Sequence, residues 1–249
     1  MTAPSWLVAR PIAHRGLHSL DRAIPENTAA AAEAAVAGRF AIECDVQLSA
    51  DGDAMVFHDH ELDRLTDRMG PVLSLPAAAL STLSVGGTAE RIPSLAAWLD
   101  RIAGRTPVVI EIKSRFDGDE RLARRVAEVL RGRTEPLAVK SFDPELVQLL
   151  RRIAPHVPRG IVAMSRYVGA EWARLTGPRK RDMANLLHWG DTRPDFISWH
   201  HADLPNAATA LPRLLAGVPV MTWTIRSPAE EAAVRPHADQ IVFEGFVPA

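Results

Sequence analysis

A chain of 249 residues, 47% hydrophobic and 24% charged, suffices for one large domain with a full core, or for two small ones. Its formal net charge of −1 argues against a nucleic acid as the main partner, and a single cysteine excludes an internal disulfide. No uncharged apolar run reaches the roughly 18 residues of a membrane helix, and Met1-Thr2-Ala3-Pro4-Ser5-Trp6 lacks a basic segment ahead of a long apolar stretch. The cytoplasm is therefore the expected compartment.

In chain order, β-branched runs alternate with alanine- and leucine-rich stretches. A strand is predicted over 8–13, a helix over 28–37 with Gly38 as its stop, then strands over 41–47 and 54–57. Residues 60–91 break the alternation with turns and polar residues and read as a small insertion. A helix over 94–103 leads to a strand over 108–113, a helix over 120–130 and a strand over 137–140. Asp143 and Pro144 suit a cap and first turn, so a helix is predicted over 144–153. Strands over 160–163, 196–199, 218–224 and 240–243 follow, with helices over 169–175, 206–216 and 229–234. The stretch 176–194 reads as irregular and basic. About eight strand–helix units in this length fit a TIM (β/α)8 barrel with a small insertion after the second strand, as one domain over 1–249. A doubly wound open sheet is the competitor, but no G-x-G-x-x-G follows the first strand.

Chemistry-bearing residues fall at predicted strand ends, where a barrel carries its site. His14 and Arg15 end the first strand. Glu43 and Asp45, two apart, share one face of the next, and Cys44 takes the other. His58 and Asp59 end the short strand, Glu111 and Lys113 end the one after, and Trp223 lies near the end of a late strand. Paired acids on an apolar strand need a positive partner, and histidines exchange protons near neutral pH. Phosphate ester chemistry is the first class this set suggests. Lysine is scarce: Lys113, Lys140 and Lys180 are the full complement.

Taken together, Ile12-Ala13-His14-Arg15-Gly16, Pro25-Glu26-Asn27-Thr28, Ile42-Glu43-Cys44-Asp45-Val46 and Val56-Phe57-His58-Asp59 resemble the glycerophosphodiester phosphodiesterase family. Glu111-Ile112-Lys113, Ser141-Phe142-Asp143 and Trp223-Thr224-Ile225 extend the resemblance in order, over about residues 10 to 245. It implies a TIM barrel that hydrolyses glycerophosphodiesters to glycerol 3-phosphate and an alcohol. Carried residue by residue, it implies Glu43, Asp45 and Glu111 as ligands of Mg2+ or Ca2+, hard cations that favour oxygen. His14 and His58 become the acid–base pair. Arg15, Lys113 and Trp223 bind substrate, and Glu26 and Asn27 support the site. By analogy with related barrel phospholipases, the substrate's own glycerol hydroxyl attacks first. The partner is a small-molecule glycerophosphodiester, with no nucleic acid, no transmembrane segment, and a monomer or homodimer as the assembly.

Some residues depart from the family's usual pattern. Arg226 and Glu244 stand where shorter polar residues are common, Lys140 where a neutral residue is, and His200 and His201 are atypical. The rivals are a lysophospholipase D or sphingomyelinase D-like enzyme on the same barrel, and a non-catalytic phosphodiester-binding barrel. The insertion over 60–91 is expected to roof the site. Its lack of long apolar runs favours deacylated substrates over intact lipids.

Overall fold

The computed structural model describes residues 3–19, 21 and 23–248. Met1, Thr2, Leu20, Arg22 and Ala249, which the single-domain span 1–249 includes, lie outside the described residues. Eight parallel strands alternate with helices in a (β/α)8 barrel, the fold the alternation predicts. By contact the chain divides into two compact units.

One unit spans 12–113 and 120–137. It holds β1 (Ile12–Ala13), α1 (Ala29–Ala37), β2 (Ala41–Leu48), β3 (Ala54–Val56), α2 (Ala77–Leu80), α3 (Leu95–Ile102), β4 (Val108–Ile112) and α4 (Arg121–Leu130). β2 runs parallel to β1 and to β4, with Asp45 opposite Glu111. All eight β2 residues are buried, as in a parallel strand covered on both faces. Its alternation is therefore one of chemistry: Glu43, Asp45 and Gln47 on one face, Ile42, Cys44 and Val46 on the other. β3 is antiparallel to β2 and is not a barrel strand. The insertion that follows it has its own core, where Leu62, Val72, Leu80 and Val85 pack with Met55, Phe57 and Ile92.

β1 corrects the sequence reading. The strand expected over 8–13 is only Ile12–Ala13, and a 3-10 turn occupies Ser5–Val8; Pro11 has no N–H to give a ladder. Thr28 caps α1, its hydroxyl accepting from Ala31 N at 3.2 Å. Gly38 is the C-cap of α1 but keeps a right-handed conformation, and Arg39 takes the positive φ, 61°.

The other unit carries most of β5 (Leu137–Ser141), then α5 (Pro144–Ile153), β6 (Arg159–Ala163), α6 (Gly177–Ala184), α7 (Trp189–Thr192), β7 (Phe196–His200), α8 (Ala207–Ala216), β8 (Val220–Ile225), α9 (Pro228–Val234) and β9 (Gln240–Phe243). These strands pair in parallel from β5 through β9. The cap on α5 is as read: Asp143 accepts from Glu145 N at 3.0 Å, with Pro144 next. Two readings need correction. The helix expected over 169–175 is one 3-10 turn, Ala170–Trp172. The stretch 176–194, expected to be irregular, contains α6 and α7. Thr176 caps α6 by accepting from Arg179 N, and Pro178 sits in its first turn.

Gly16 shows why a glycine follows the first His-Arg pair. Its φ is +77°, and a Cβ there would lie 2.8 Å from the backbone and Cβ of Ala31 in α1. Gly52 also has positive φ, +87°, but faces open space. Alanine at Gly52 is expected to cost only the left-handed backbone penalty, about 1–2 kcal/mol. Alanine at Gly16 is expected to add an overpacking cost of roughly 1–3 kcal/mol. Chemical denaturation of the two variants measures the difference, and equal losses would contradict the clash.

Candidate active site

Three buried carboxylates, Glu43 and Asp45 on β2 and Glu111 on β4, place one oxygen each within 4.8 Å of one another. The i, i+2 spacing puts the first two on one face, and the parallel register brings Glu111 beside Asp45. Like charges this close repel, so the surrounding groups must compensate. Lys113, one residue past β4, does so directly. Its Nζ lies 2.7 Å from Asp45 Oδ1 and 2.6 Å from Glu111 Oε1. Arg15 Nε lies 3.4 Å from Asp45 Oδ2, and the Arg15 backbone N–H donates to Glu43 Oε2 at 3.1 Å. Asn27 completes the enclosure of Asp45. Its Nδ2 donates to Oδ2 at 3.0 Å, and its Oδ1 accepts from the Asp45 backbone N–H at 3.2 Å. Arg15 and Asn27 both take left-handed φ values, 56° and 58°, tolerated here because Asn27 N also donates to Arg15 O at 2.9 Å.

Burial pushes the Asp45 carboxyl up, but Lys113, His58, Arg15 and His14 outweigh it and hold the group well below the ordinary carboxylate range. Lys113 is the reciprocal case. Burial lowers its affinity for a proton, but Asp45 and Glu111 raise it further, so the ammonium keeps its charge.

The two histidines sit differently. His14 immediately follows β1 and, where protonated, favours the ionised Asp45 carboxylate. His58 follows Phe57, and its Nδ1 is 2.6 Å from Asp59 Oδ1. Burial of Asp59 works against its charge, but hydrogen bonds from His58 and Arg64 press its carboxyl far below the usual range. An ionised carboxylate can only accept, so Nδ1 carries the hydrogen, and whenever the ring is neutral its Nε2 is the basic nitrogen. Gln47, third in the β2 series with Glu43 and Asp45, donates to the His58 backbone O at 2.8 Å.

Glu26 accepts from Arg15 Nη1 at 2.6 Å and from two nitrogens of Arg64. Of the residues singled out in the sequence, the structure thus brings His14, Arg15, Glu26, Asn27, Glu43, Asp45, His58, Glu111 and Lys113 into one unit. Arg64 and Gln47 were missed. Gln47 continues an alternation already in use, whereas Arg64 offers no sequence signal, being one of three arginines in the insertion.

Trp223 belongs to the other unit. Its indole N–H donates to Ser198 O at 3.1 Å, and its ring meets Phe142 and His200 edge-on at 5.5 and 5.1 Å. Lys140 is buried within β5. Arg226 and Glu244, the two departures at the ends of β8 and β9, pair with each other at 2.8 and 3.0 Å.

Charged groups collected at strand ends define a class: a (β/α)8 barrel with a site able to hold both a cation and an anion. The model of the glycerophosphoryl diester phosphodiesterase family matches residues 14–241. A glycerophosphodiester phosphodiesterase of Bacillus altitudinis is 30% identical over 204 residues, 77% of this chain and 81% of that protein. Another, of Caldanaerobacter subterraneus, is 33% identical over 163 residues, 61% of this chain; the alignment spans 65% of that relative's length. The fold superposes on an Oleispira antarctica phosphodiesterase in complex with the product sn-glycerol-3-phosphate, with a TM-score of 0.78, 24% identity and coverage of 96% of this chain and 93% of that one. A glycerophosphodiester phosphodiesterase from Agrobacterium tumefaciens superposes with a TM-score of 0.70 and 27% identity, covering 98% and 96%. This chain belongs to the glycerophosphoryl diester phosphodiesterase family.

Glu26 also sets an acid response. Burial raises its pKa, but Arg64 and Arg15 lower it further, to a net value below its ordinary one. The unfolded carboxyl, with a pKa of about 4.3, then binds protons before the folded one does. The stabilisation is complete above that value and disappears as pH falls through the folded one. Glu26→Gln is expected to melt below wild type at pH 6 and to close that gap as pH falls toward 3. Thermal melts across this range check it, and parallel pH curves would refute the sign.

Proposed function

We infer that this chain hydrolyses glycerophosphodiesters to glycerol 3-phosphate and an alcohol. The observation carrying this reading is that the carboxylate triad, Arg15 and an Asp59-oriented His58 belong to one connected set of charged contacts. The product held by the Oleispira structure supports the same substrate class.

Glu43, Asp45 and Glu111 offer hard oxygen donors and fit Mg2+ or Ca2+. A bound divalent cation would supply neutralisation of charge on a phosphoryl oxygen. The chain's own residues do the rest. Arg15 presents a planar fork of donors to the phosphate oxygens, and Lys113 adds a compact positive charge. In a first step one histidine takes the proton of the substrate's attacking hydroxyl and the other gives a proton to the leaving alkoxide oxygen; in a second, with the two roles exchanged, water opens the cyclic phosphate to glycerol 3-phosphate. Both are needed in opposite protonation states at the start. Asp59 fixes the tautomer of His58, while Glu26 and Asn27 hold Arg15 and Asp45.

The substrate is read as deacylated. The large apolar residues of the insertion fill its own core, and only Met69 stands strongly exposed there among the described residues. Each acyl methylene gains about 0.8 kcal/mol only where it is buried, and this segment offers little surface to bury one. No helix among the described residues is long and apolar enough to cross a membrane.

Purified protein is expected to release glycerol 3-phosphate from glycerophosphocholine or glycerophosphoethanolamine, to lose this activity with chelator, and to regain it with Mg2+, Ca2+ or Mn2+. His14→Ala and His58→Ala should each lower kcat by roughly 10²–10⁴-fold. Full turnover after exhaustive chelation, or in either histidine variant, would defeat the assignment. A second comparison sets kcat/KM on glycerophosphocholine against the matching lysophospholipid and diacyl lipid. The soluble diester should be preferred, and a preference for the lipids would favour a phospholipase.

A further inference from the structure

We propose that Arg64, in the insertion between β3 and α3, is a positioning residue that aligns phosphate-binding Arg15 and acid–base His58 together; this rests on the phosphodiesterase reading above. One guanidinium makes four bonds. Nη1 and Nη2 donate to Glu26 Oε2 and Oε1 at 2.9 and 2.8 Å. Nε and Nη2 donate to Asp59 Oδ2 and Oδ1 at 2.6 and 3.1 Å. Glu26 in turn accepts from Arg15, and Asp59 pairs with His58, each at 2.6 Å. The result is a chain of alternating charge: Arg15, Glu26, Arg64, Asp59, His58.

The chemistry favours alignment over stability. Arg64 is 47% exposed, and exposed ion pairs contribute little to stability. What the fork does supply is direction. It occupies both oxygens of each carboxylate, so neither can rotate away from its second partner. Without Arg64, Glu26 would face Arg15 alone and compete harder with phosphate for that guanidinium. Asp59 would lose the contact that holds it against His58. The same insertion grips the turn a second time, since Glu90 Oε2 accepts from Ala30 N at 3.0 Å at the start of α1. The segment carrying Glu26 and Asn27 is thereby fixed from two points.

The experiment compares wild type, Arg64→Ala, Arg64→Lys, Asp59→Asn and the Arg64→Ala/Asp59→Asn double variant on glycerophosphocholine, with a thermal melt of each. Arg64→Ala is expected to keep a near-native melting temperature and to lose about 10- to 100-fold in kcat, the scale of a small misplacement. Lysine, which reaches one carboxylate at a time, should fall between. Added guanidinium ion should restore part of the kcat of Arg64→Ala and none of that of Asp59→Asn. In the Asp59→Asn background, Arg64→Ala should cost clearly less than in wild type, because the two act in one chain. A kcat for Arg64→Ala within twofold of wild type overturns the proposal. So do losses that multiply fully in the double variant, and losses that merely follow the melting temperature without guanidinium rescue. A wild-type protein that releases no glycerol 3-phosphate would instead overturn the phosphodiesterase reading itself.

Discussion

Burying three carboxylates on adjacent parallel strands is the constraint around which the described site is arranged. Glu43, Asp45 and Glu111 cannot share so small a volume unless positive charge and donors meet them. Lys113 bridges two of them, Arg15 reaches Asp45 and Glu43, and the Asn27 side chain meets both the carboxylate and the backbone N–H of Asp45. Each compensating group demands something of the backbone in return. Arg15 and Asn27 adopt left-handed conformations to reach their targets. Gly16 keeps the turn tight enough for α1 to pack against it. The local fold of the first turn is therefore a solution to an electrostatic problem.

The same logic separates groups that neutralise from groups that aim. Lys113 answers a charge and sits deep against it. Glu26 and Asp59 carry their own negative charge, yet each holds a neighbour, Arg15 or His58, that the proposed reaction uses. Both have pKa values below their ordinary ones for the same reason, since each is shared between two donors. Hydrogen bonds to charged groups are strong and directional, so such shared carboxylates suit a site where a guanidinium and an imidazole must keep their angles.

Much of this was legible in the sequence because strand geometry is simple. Alternation alone places Glu43 and Asp45 on one face, and the next strand end supplies Glu111 and Lys113. The same alternation could have found Gln47, but an amide carries no acid–base chemistry to draw attention to it. Arg64 was illegible because its role arises only when a loop folds back on Glu26 and Asp59. Local signals also misled. Pro11 cut the first strand short, and the basic run Arg179-Lys180-Arg181 hid α6, although Thr176 and Pro178 are ordinary helix-start residues.

Arg226 and Glu244 end β8 and β9 and hold each other, so two departures from the family's usual pattern behave as one character. Either residue alone would leave a charge facing a neighbour unsuited to it. Arg226 is 57% exposed, so the coupling between the two positions is that of a solvated ion pair. Arg226 also donates its backbone N–H to Glu230 at 2.6 Å in the first turn of α9, a bond that any residue with an N–H at this position would make. A substitution survey that treats these sites as independent would misjudge what each tolerates, because the tolerance is a property of the set.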